Sequence, residues 1–210
     1  MPVLVIAQRQ TAGRGRLGRG WAEPDRAVFS SLAFTPVWPV SAWSLLPLVA
    51  GLAVRQAIST TCGISTGLRW PNDLVAPEGK VGGILVESAG ERVVVGCGIN
   101  LVWANPVEGG AALYSGESAV PSSRRLATAW VEAFISRTSR DRGTWGLDEY
   151  RSACTTIGRP VSYASGRGTA IGISTNGALL VDTSDGVVEV QSGEVRLHDV
   201  ASLRTRRKGT

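Results

Sequence analysis

Lys80 stands out by residue type. Of the 22 basic residues, lysine occurs only at Lys80 and Lys208, and every other one is arginine. A lysine ammonium is a compact point charge on a flexible stem, whereas arginine presents a rigid planar fork. The ammonium is kept in Lys80-Val81-Gly82-Gly83-Ile84-Leu85, shortly after Arg69-Trp70-Pro71-Asn72-Asp73-Leu74. Taken alone, Lys80 reads equally well as a solvated lysine after the turn Ala76-Pro77-Glu78-Gly79. A second stretch, Gln10-Thr11-Ala12-Gly13-Arg14-Gly15-Arg16-Leu17-Gly18-Arg19-Gly20-Trp21, shifts that balance. Guanidinium forks suit bidentate contacts to phosphate or carboxylate, and a glycine backbone can close around an anion. The same composition fits an arginine–glycine segment that neutralises nucleic-acid phosphate and stacks on bases. It lacks the Gly-x-x-x-x-Gly-Lys phosphate loop, which excludes a P-loop nucleoside triphosphatase. The chemistry in common is the handling of negative charge.

Composition removes other classes. A single histidine, His198, excludes Ser-His-Asp and Cys-His mechanisms unless His198 itself serves, and it excludes histidine-rich metal sites. Cys62, Cys97 and Cys154 are odd in number and widely spaced, so neither a disulfide framework nor a zinc knuckle is indicated. The net charge of +5 is uneven: Arg9, Arg14, Arg16 and Arg19 precede the first acidic residue, Glu23, and a second basic cluster closes the chain. No bilayer-length apolar run and no leader pattern is expected, so the expected location is cytoplasmic.

These residues need elements to position them, and 210 residues suffice for one sizeable domain with a small appendage. Residues 2–7 form a short apolar run that predicts a buried strand. Residues 8–20, rich in glycine and arginine, predict a mobile loop. A second strand is predicted over Val28–Phe34, then a helix over Ala42–Cys62 capped by Ser41 and closed by Gly63. Leu68-Arg69-Trp70 ends a strand that runs into the Pro71-Asn72-Asp73 turn. Residues 83–87 and 92–100 predict a hairpin turning at Ala89-Gly90-Glu91. Ser122 or Ser123 caps a second helix carrying Leu126, Trp130, Phe134 and Ile135, and a short third helix holds Leu147 and Tyr150. From Ile157 onward, four short strands broken at Asn176-Gly177 and Asp185-Gly186 predict a small barrel. The expected division is residues 1–156, 157–202 and a disordered basic tail, 203–210.

Taken together, these stretches resemble the biotin protein ligases. The family motifs are a Q-x-A preceding G-R-G-R-x-G-R, a K/R-W-P-N-D turn, K-x-G-G-I-L, G-x-G-I-N and a final G-E-hydrophobic segment. They correspond here, in order, to the Gln10–Trp21 stretch, Arg69–Asp73, Lys80–Leu85, Gly96–Asn100 and Ser192–Leu197. The resemblance implies an α+β fold: a mixed sheet covered by helices, related to class II synthetases, with a small SH3-like barrel. It implies activation of biotin by ATP and Mg²⁺ to biotinyl-5′-adenylate. Biotin then passes to a lysine of a biotin carboxyl carrier domain. By resemblance, Lys80 and Arg16 would bridge carboxylate and α-phosphate, and Arg14 would hold the loop closed. Gln10, Gly13 and Gly15 would contact biotin, Trp21 would cover the adenylate, and Gly83 and Gly96 would keep the pocket floor open. Arg19 and Arg69 would face the outer phosphates, with Asn72 and Asp73 near phosphate and Mg²⁺, and Asn100 and His198 on the ATP side. For Trp70 and Pro71, packing at a strand end is the better reading.

Three departures qualify the resemblance. Met1 directly precedes the first strand, so the family's Ser-Thr-Asn segment for the ureido ring is not in this sequence. The expectation is an upstream start or a differently held ureido group. His198 stands where an arginine is often found near the adenine. No helix-turn-helix domain precedes the strand, so no DNA partner is expected; nor is a membrane partner, whereas a homodimer stays open. The rivals are a lipoate ligase, a non-catalytic binder of biotin or its adenylate, and an arginine–glycine nucleic-acid binder.

Overall fold

In the computed structural model, which describes residues 1–117, 120–191 and 195–197, alternating strands build a six-stranded sheet under two long helices. The strands are β1 (Val3–Ala7), β2 (Arg26–Phe34), β3 (Gly67–Arg69), β4 (Asp73–Ala76), β5 (Gly79–Ala89) and β6 (Arg92–Val102), ordered β1-β2-β6-β5-β4-β3. The sheet expected to be mixed is antiparallel along each ladder, and parallel pairing is confined to isolated bridges. Side chains of period two separate its faces. In β6, Val93, Val95, Cys97, Ile99 and Leu101 are buried in the core, which leaves Gly96 and Gly98 on the other face.

Helices α1 (Leu46–Cys62) and α2 (Ser123–Thr138) cover the apolar face. Trp130 of α2 donates its indole N–H to Ser30 Oγ at 3.0 Å, and Phe134 meets Phe34 edge-on with centroids 5.5 Å apart. Ser122 caps α2 by accepting from Arg125 N. The start of α1 differs from expectation. Residues Val40–Leu45 form a tighter 3-10 turn, and the α-helix begins at Leu46, with Pro47 in its first turn, where no amide donor is needed. Gly63 ends the helix at φ +69°. By length and composition, 40–62 is the one candidate bilayer-crossing segment among the described residues, contrary to the expectation of none. It lies largely buried in the core, from Leu46 to Ile58.

After α3 (Leu147–Ala153), a second antiparallel sheet forms the SH3-like part. It comprises β7 (Pro160–Tyr163), β8 (Gly166–Ile173), β9 (Leu179–Thr183), β10 (Gly186–Val190) and β11 (Arg196–Leu197), ordered β10-β9-β8-β7-β11. The two-residue β11 was not among the expected strands. One apolar core runs through both sheets and joins Val161, Ile173 and Leu179 to Leu46, Leu48 and Trp70. His198 and the tail 203–210 lie outside the described residues.

Candidate functional site

Lys80 reaches the open face of the first sheet through a register slip. Gly82 pairs with Leu74, but Lys80, not Val81, pairs with Val75, so β5 carries one extra residue there. By simple alternation Lys80 would share the helix-covered face with Gly82 and Ile84. The bulge re-aims it to the face of Gly83. Its backbone is held on the other side as well. Lys80 N donates to Gly109 O at 2.9 Å, and Ala111 N donates to Lys80 O at 2.8 Å. Asn100 completes this brace: its Nδ2 donates to Ala111 O at 2.8 Å and to Lys80 O at 3.3 Å.

The Lys80 ammonium lies 2.6 Å from Asp73 Oδ1 and 5.1 Å from the centroid of Trp21. Trp21 lies flat on glycine. A Cβ on Gly83 would come within 2.8 Å of Trp21 Cζ3, and one on Gly98 within 3.0 Å of Cζ2. The hairpin register sets Gly83 opposite Gly98 and Leu85 opposite Gly96, so a glycine floor runs across β5 and β6, with the Trp21 indole resting on part of it. Any side chain at Gly83 or Gly98 would displace the indole. The Trp21 Nε1 donor is buried and has no hydrogen-bond partner among the described residues.

The arginine–glycine loop closes over this floor. Gly15 N donates to Arg19 O and Trp21 N to Gly13 O, which folds 13–21 back on itself. Leu17 takes the left-handed conformation at φ 58°, exposed at the tip. Two arginines tie the loop to the sheet. Arg14 Nη2 lies 3.0 Å from Glu87 Oε2, and Arg16 Nη1 donates to Asn72 Oδ1 at 3.1 Å. Asn72 is itself fixed on both sides, its Nδ2 donating to Ile84 O and its carbonyl accepting from Ile84 N. Burial pulls the Arg16 guanidinium below its usual value, with Asp73 opposing and Arg19 adding to the fall. Downstream, Ala104 N donates to Asp25 Oδ2 at 2.6 Å and Arg26 pairs with Glu117, which links the loop's exit to the 103–117 segment.

The enclosed cleft has a volume of about 620 Å³. Gln10, Arg14, Gly15, Arg16, Arg19, Trp21, Arg69, Asn72, Asp73, Lys80, Gly83 and Gly96 all line it. Gly13 does not: it packs behind Trp21, where an added Cβ would meet Gln10 Oε1 at 2.8 Å. Asn100 is also absent from the wall, being 2% exposed and turned toward the backbone of Lys80 and Ala111. The cleft gains Gly98, Glu87, Ser31 and residues 195–197, none of them among the site residues expected from the sequence. Among the described residues no group of three or more His, Cys, Asp or Glu could hold a metal. Mg²⁺ commonly takes one or two carboxylates and completes its shell with substrate phosphates and water. Asp73 fits that limited role.

Such a cleft can bring two anions together against the Lys80 ammonium and a half-buried guanidinium, beside the Trp21 indole. Comparisons with known proteins agree with this chemistry. The profile described as "Biotin/lipoate A/B protein ligase family" matches residues 1–101, and that described as "Biotin protein ligase C terminal domain" matches 156–197. A biotin–[acetyl-CoA-carboxylase] ligase of Mycobacterium tuberculosis is 37% identical over 208 residues, covering 92% of this chain and 78% of that protein. A bifunctional ligase/repressor BirA of Bacillus subtilis is 30% identical, covering 92% of this chain and 66% of that protein. Among solved structures, a biotin protein ligase from Aquifex aeolicus in complex with biotin and ATP superposes with a TM-score of 0.78 at 29% identity. The match covers 93% of this chain and 88% of that one.

Proposed function

The chain belongs to the biotin/lipoate A/B protein ligase family, and from that premise we propose that it is a biotin–protein ligase. It joins the biotin carboxylate to the α-phosphate of ATP, releasing pyrophosphate, and passes biotin from the resulting adenylate to a lysine of a biotin carboxyl carrier domain. The observation that carries the reading is the convergence of Lys80 and Arg16 on the Asn72–Asp73 turn, above a glycine floor.

Charge decides the residue roles. The first step presses a carboxylate against a phosphate, so its transition state concentrates negative charge where two anions meet. A preorganised cation there lowers the barrier most. Lys80 is that cation. Its ammonium is a point charge that can leave Asp73 and follow the carboxylate. Arg16 binds the same centre from the loop side, and Asn72 fixes its direction. Arg14, through Glu87, keeps the loop shut and water out. Gln10, Gly15 and Gly96 form the biotin side, bounded by the Trp21 indole, which Gly83 and Gly98 seat from below and Gly13 supports from behind. Arg19, Arg69 and residues 195–197 face the nucleotide. Asp73 is the carboxylate that would hold Mg²⁺, which would supply neutralisation of phosphate charge there. The catalytic unit is taken as 1–156 and the SH3-like unit as 157–202, consistent with the two profile matches. A cytoplasmic location accompanies the reading.

Pyrophosphate release from Mg-ATP should depend on biotin and should not be supported by lipoate at the same concentration. Release with lipoate and none with biotin would assign the chain to the other branch of its family.

A further inference from the structure

We propose that Trp70 is a positioning residue through which the SH3-like part sets the place of the Asn72–Asp73 turn, and hence of Arg16 and Lys80. This rests on the ligase reading of the cleft.

The turn is short of packing on one side. A cavity of about 290 Å³ lies against Trp70, Pro71 and Asn72, with Arg16 and Gly177 also on its wall. A turn beside an open cleft lacks packing partners there and keeps its position through its anchors. One anchor is Asn72 on β5, already described. The other is Trp70, which is 4% exposed. Its amide donates to Thr156 Oγ1 at 3.0 Å, and its indole Nε1 donates to Gly177 O at 2.9 Å. Gly177 belongs to the turn between β8 and β9, so the indole spans from the catalytic turn to the second sheet.

That far end is itself fixed. Gly177 sits at φ +84°, and a Cβ there would come within 2.9 Å of Leu45 Cδ2, so the turn is wedged against the start of α1. Trp145 Nε1 donates to Thr175 O at 3.1 Å, and Arg151 Nε donates to Ile173 O at 2.9 Å. Three long side chains of the first part thus grip the end of β8 and the turn after it. Of these three, Trp70 reaches the cleft, lining its wall and leading through Pro71 to Asn72 and Asp73. The second sheet also brings 195–197 to that cleft. The indole therefore sets the distance between the wall supplied by β11 and the wall supplied by Asn72 and Asp73.

The test compares Trp70→Phe, which keeps an apolar ring and removes the N–H, with Gly177→Ala, which displaces the acceptor from the other side. Pyrophosphate release, biotin KM and Tm are measured for each variant and for the double variant. A tenfold rate change corresponds to about 1.4 kcal/mol, in the range of one buried hydrogen bond, so kcat should fall about tenfold in each single variant. Biotin KM should stay within about twofold, since the glycine floor is untouched, and the double variant should be no slower than the worse single one. Amide hydrogen exchange over 71–85 should quicken in both variants, which checks the strut even if wild type released no pyrophosphate and the ligase reading failed. A lowered Tm with kcat within twofold of wild type, multiplying rate losses, or quickened exchange confined to 157–191 would each overturn the proposal.

Discussion

Replacing Lys80 by arginine keeps the charge and changes only its shape, which isolates the role assigned to the ammonium. The available slot can be measured. Nζ is 2.6 Å from Asp73 Oδ1, 5.1 Å from the Trp21 centroid and 3.3 Å from the position a Gly83 Cβ would take. A planar guanidinium is wider than an ammonium and does not fit between the carboxylate, the indole and the floor without moving one of them. Asp73 is held by its β-strand pairing with Gly83, and the floor is backbone, so Trp21 moves. Lys80→Arg should therefore lose the aligned point charge, at about 2–4 kcal/mol of barrier or roughly a hundred- to a thousandfold in kcat. It should also weaken biotin binding, because the aromatic cover is displaced. Lys80→Met should lose the rate to a similar extent but leave Trp21 seated, so biotin affinity falls less. The assay is single-turnover formation of the adenylate, paired with calorimetric titration of biotin. An arginine variant within tenfold of wild type in rate would refute the argument from shape, as would a methionine variant that binds biotin more weakly than the arginine variant does.

Other expectations follow from the same geometry. Gly83→Ala sets a methyl group 2.8 Å from Trp21 Cζ3 and should lower stability by about 1–3 kcal/mol, the usual cost of overpacking, and weaken biotin binding as the indole is displaced; melting and titration read the two separately. Arg14→Ala removes an ion pair whose side chains are 71% and 49% exposed, so stability should change by less than about 1 kcal/mol, while protease cutting within 8–21 in the presence of biotin and ATP should accelerate. Burial pushes the Cys97 and Cys154 thiols above their usual range, so at pH 8 a thiol reagent should titrate the partly exposed Cys62 quickly and the other two only after denaturation. Ser122→Ala removes the α2 cap and should cost about 1 kcal/mol in a denaturant melt.

The chemistry was more legible in the sequence than the geometry that makes it work. The arginine–glycine loop, the Trp70–Asp73 turn and Lys80 are local runs of distinctive types, and the structure gathers them in one cleft. The hairpin around Gly90 was legible, but its register was not: a three-residue turn over 89–91 would pair Ser88 with Arg92 and set Gly83 opposite Cys97, whereas the observed turn pairs Ala89 with Arg92 and sets Gly83 opposite Gly98. Only the position of the turn was available from the sequence. The bulge that turns Lys80 outward was not, since Val81 looks like any other strand residue. The start of α1 was misplaced because Ser41 is a good cap in type, whereas Pro47 and the 3-10 turn before it decide where α-geometry begins. Asn100 looked like a ligand contact because a buried amide in a glycine-rich strand fits either role. Only the positions of Ala111 and Lys80 reveal it as a brace. Likewise, nothing local to Trp70 points to Gly177, more than a hundred residues away.

The central claim is that Lys80 and Arg16 join two anions and that the product leaves as an amide on another protein's lysine. Its most direct test is the intact mass of a biotin carboxyl carrier domain after incubation with this protein, biotin and Mg-ATP. The expected result is addition of one biotin at a single carrier lysine, dependent on ATP and lost with Lys80→Met. An unmodified carrier alongside undiminished biotin binding would contradict it, leaving a binder of biotin where a ligase had been read.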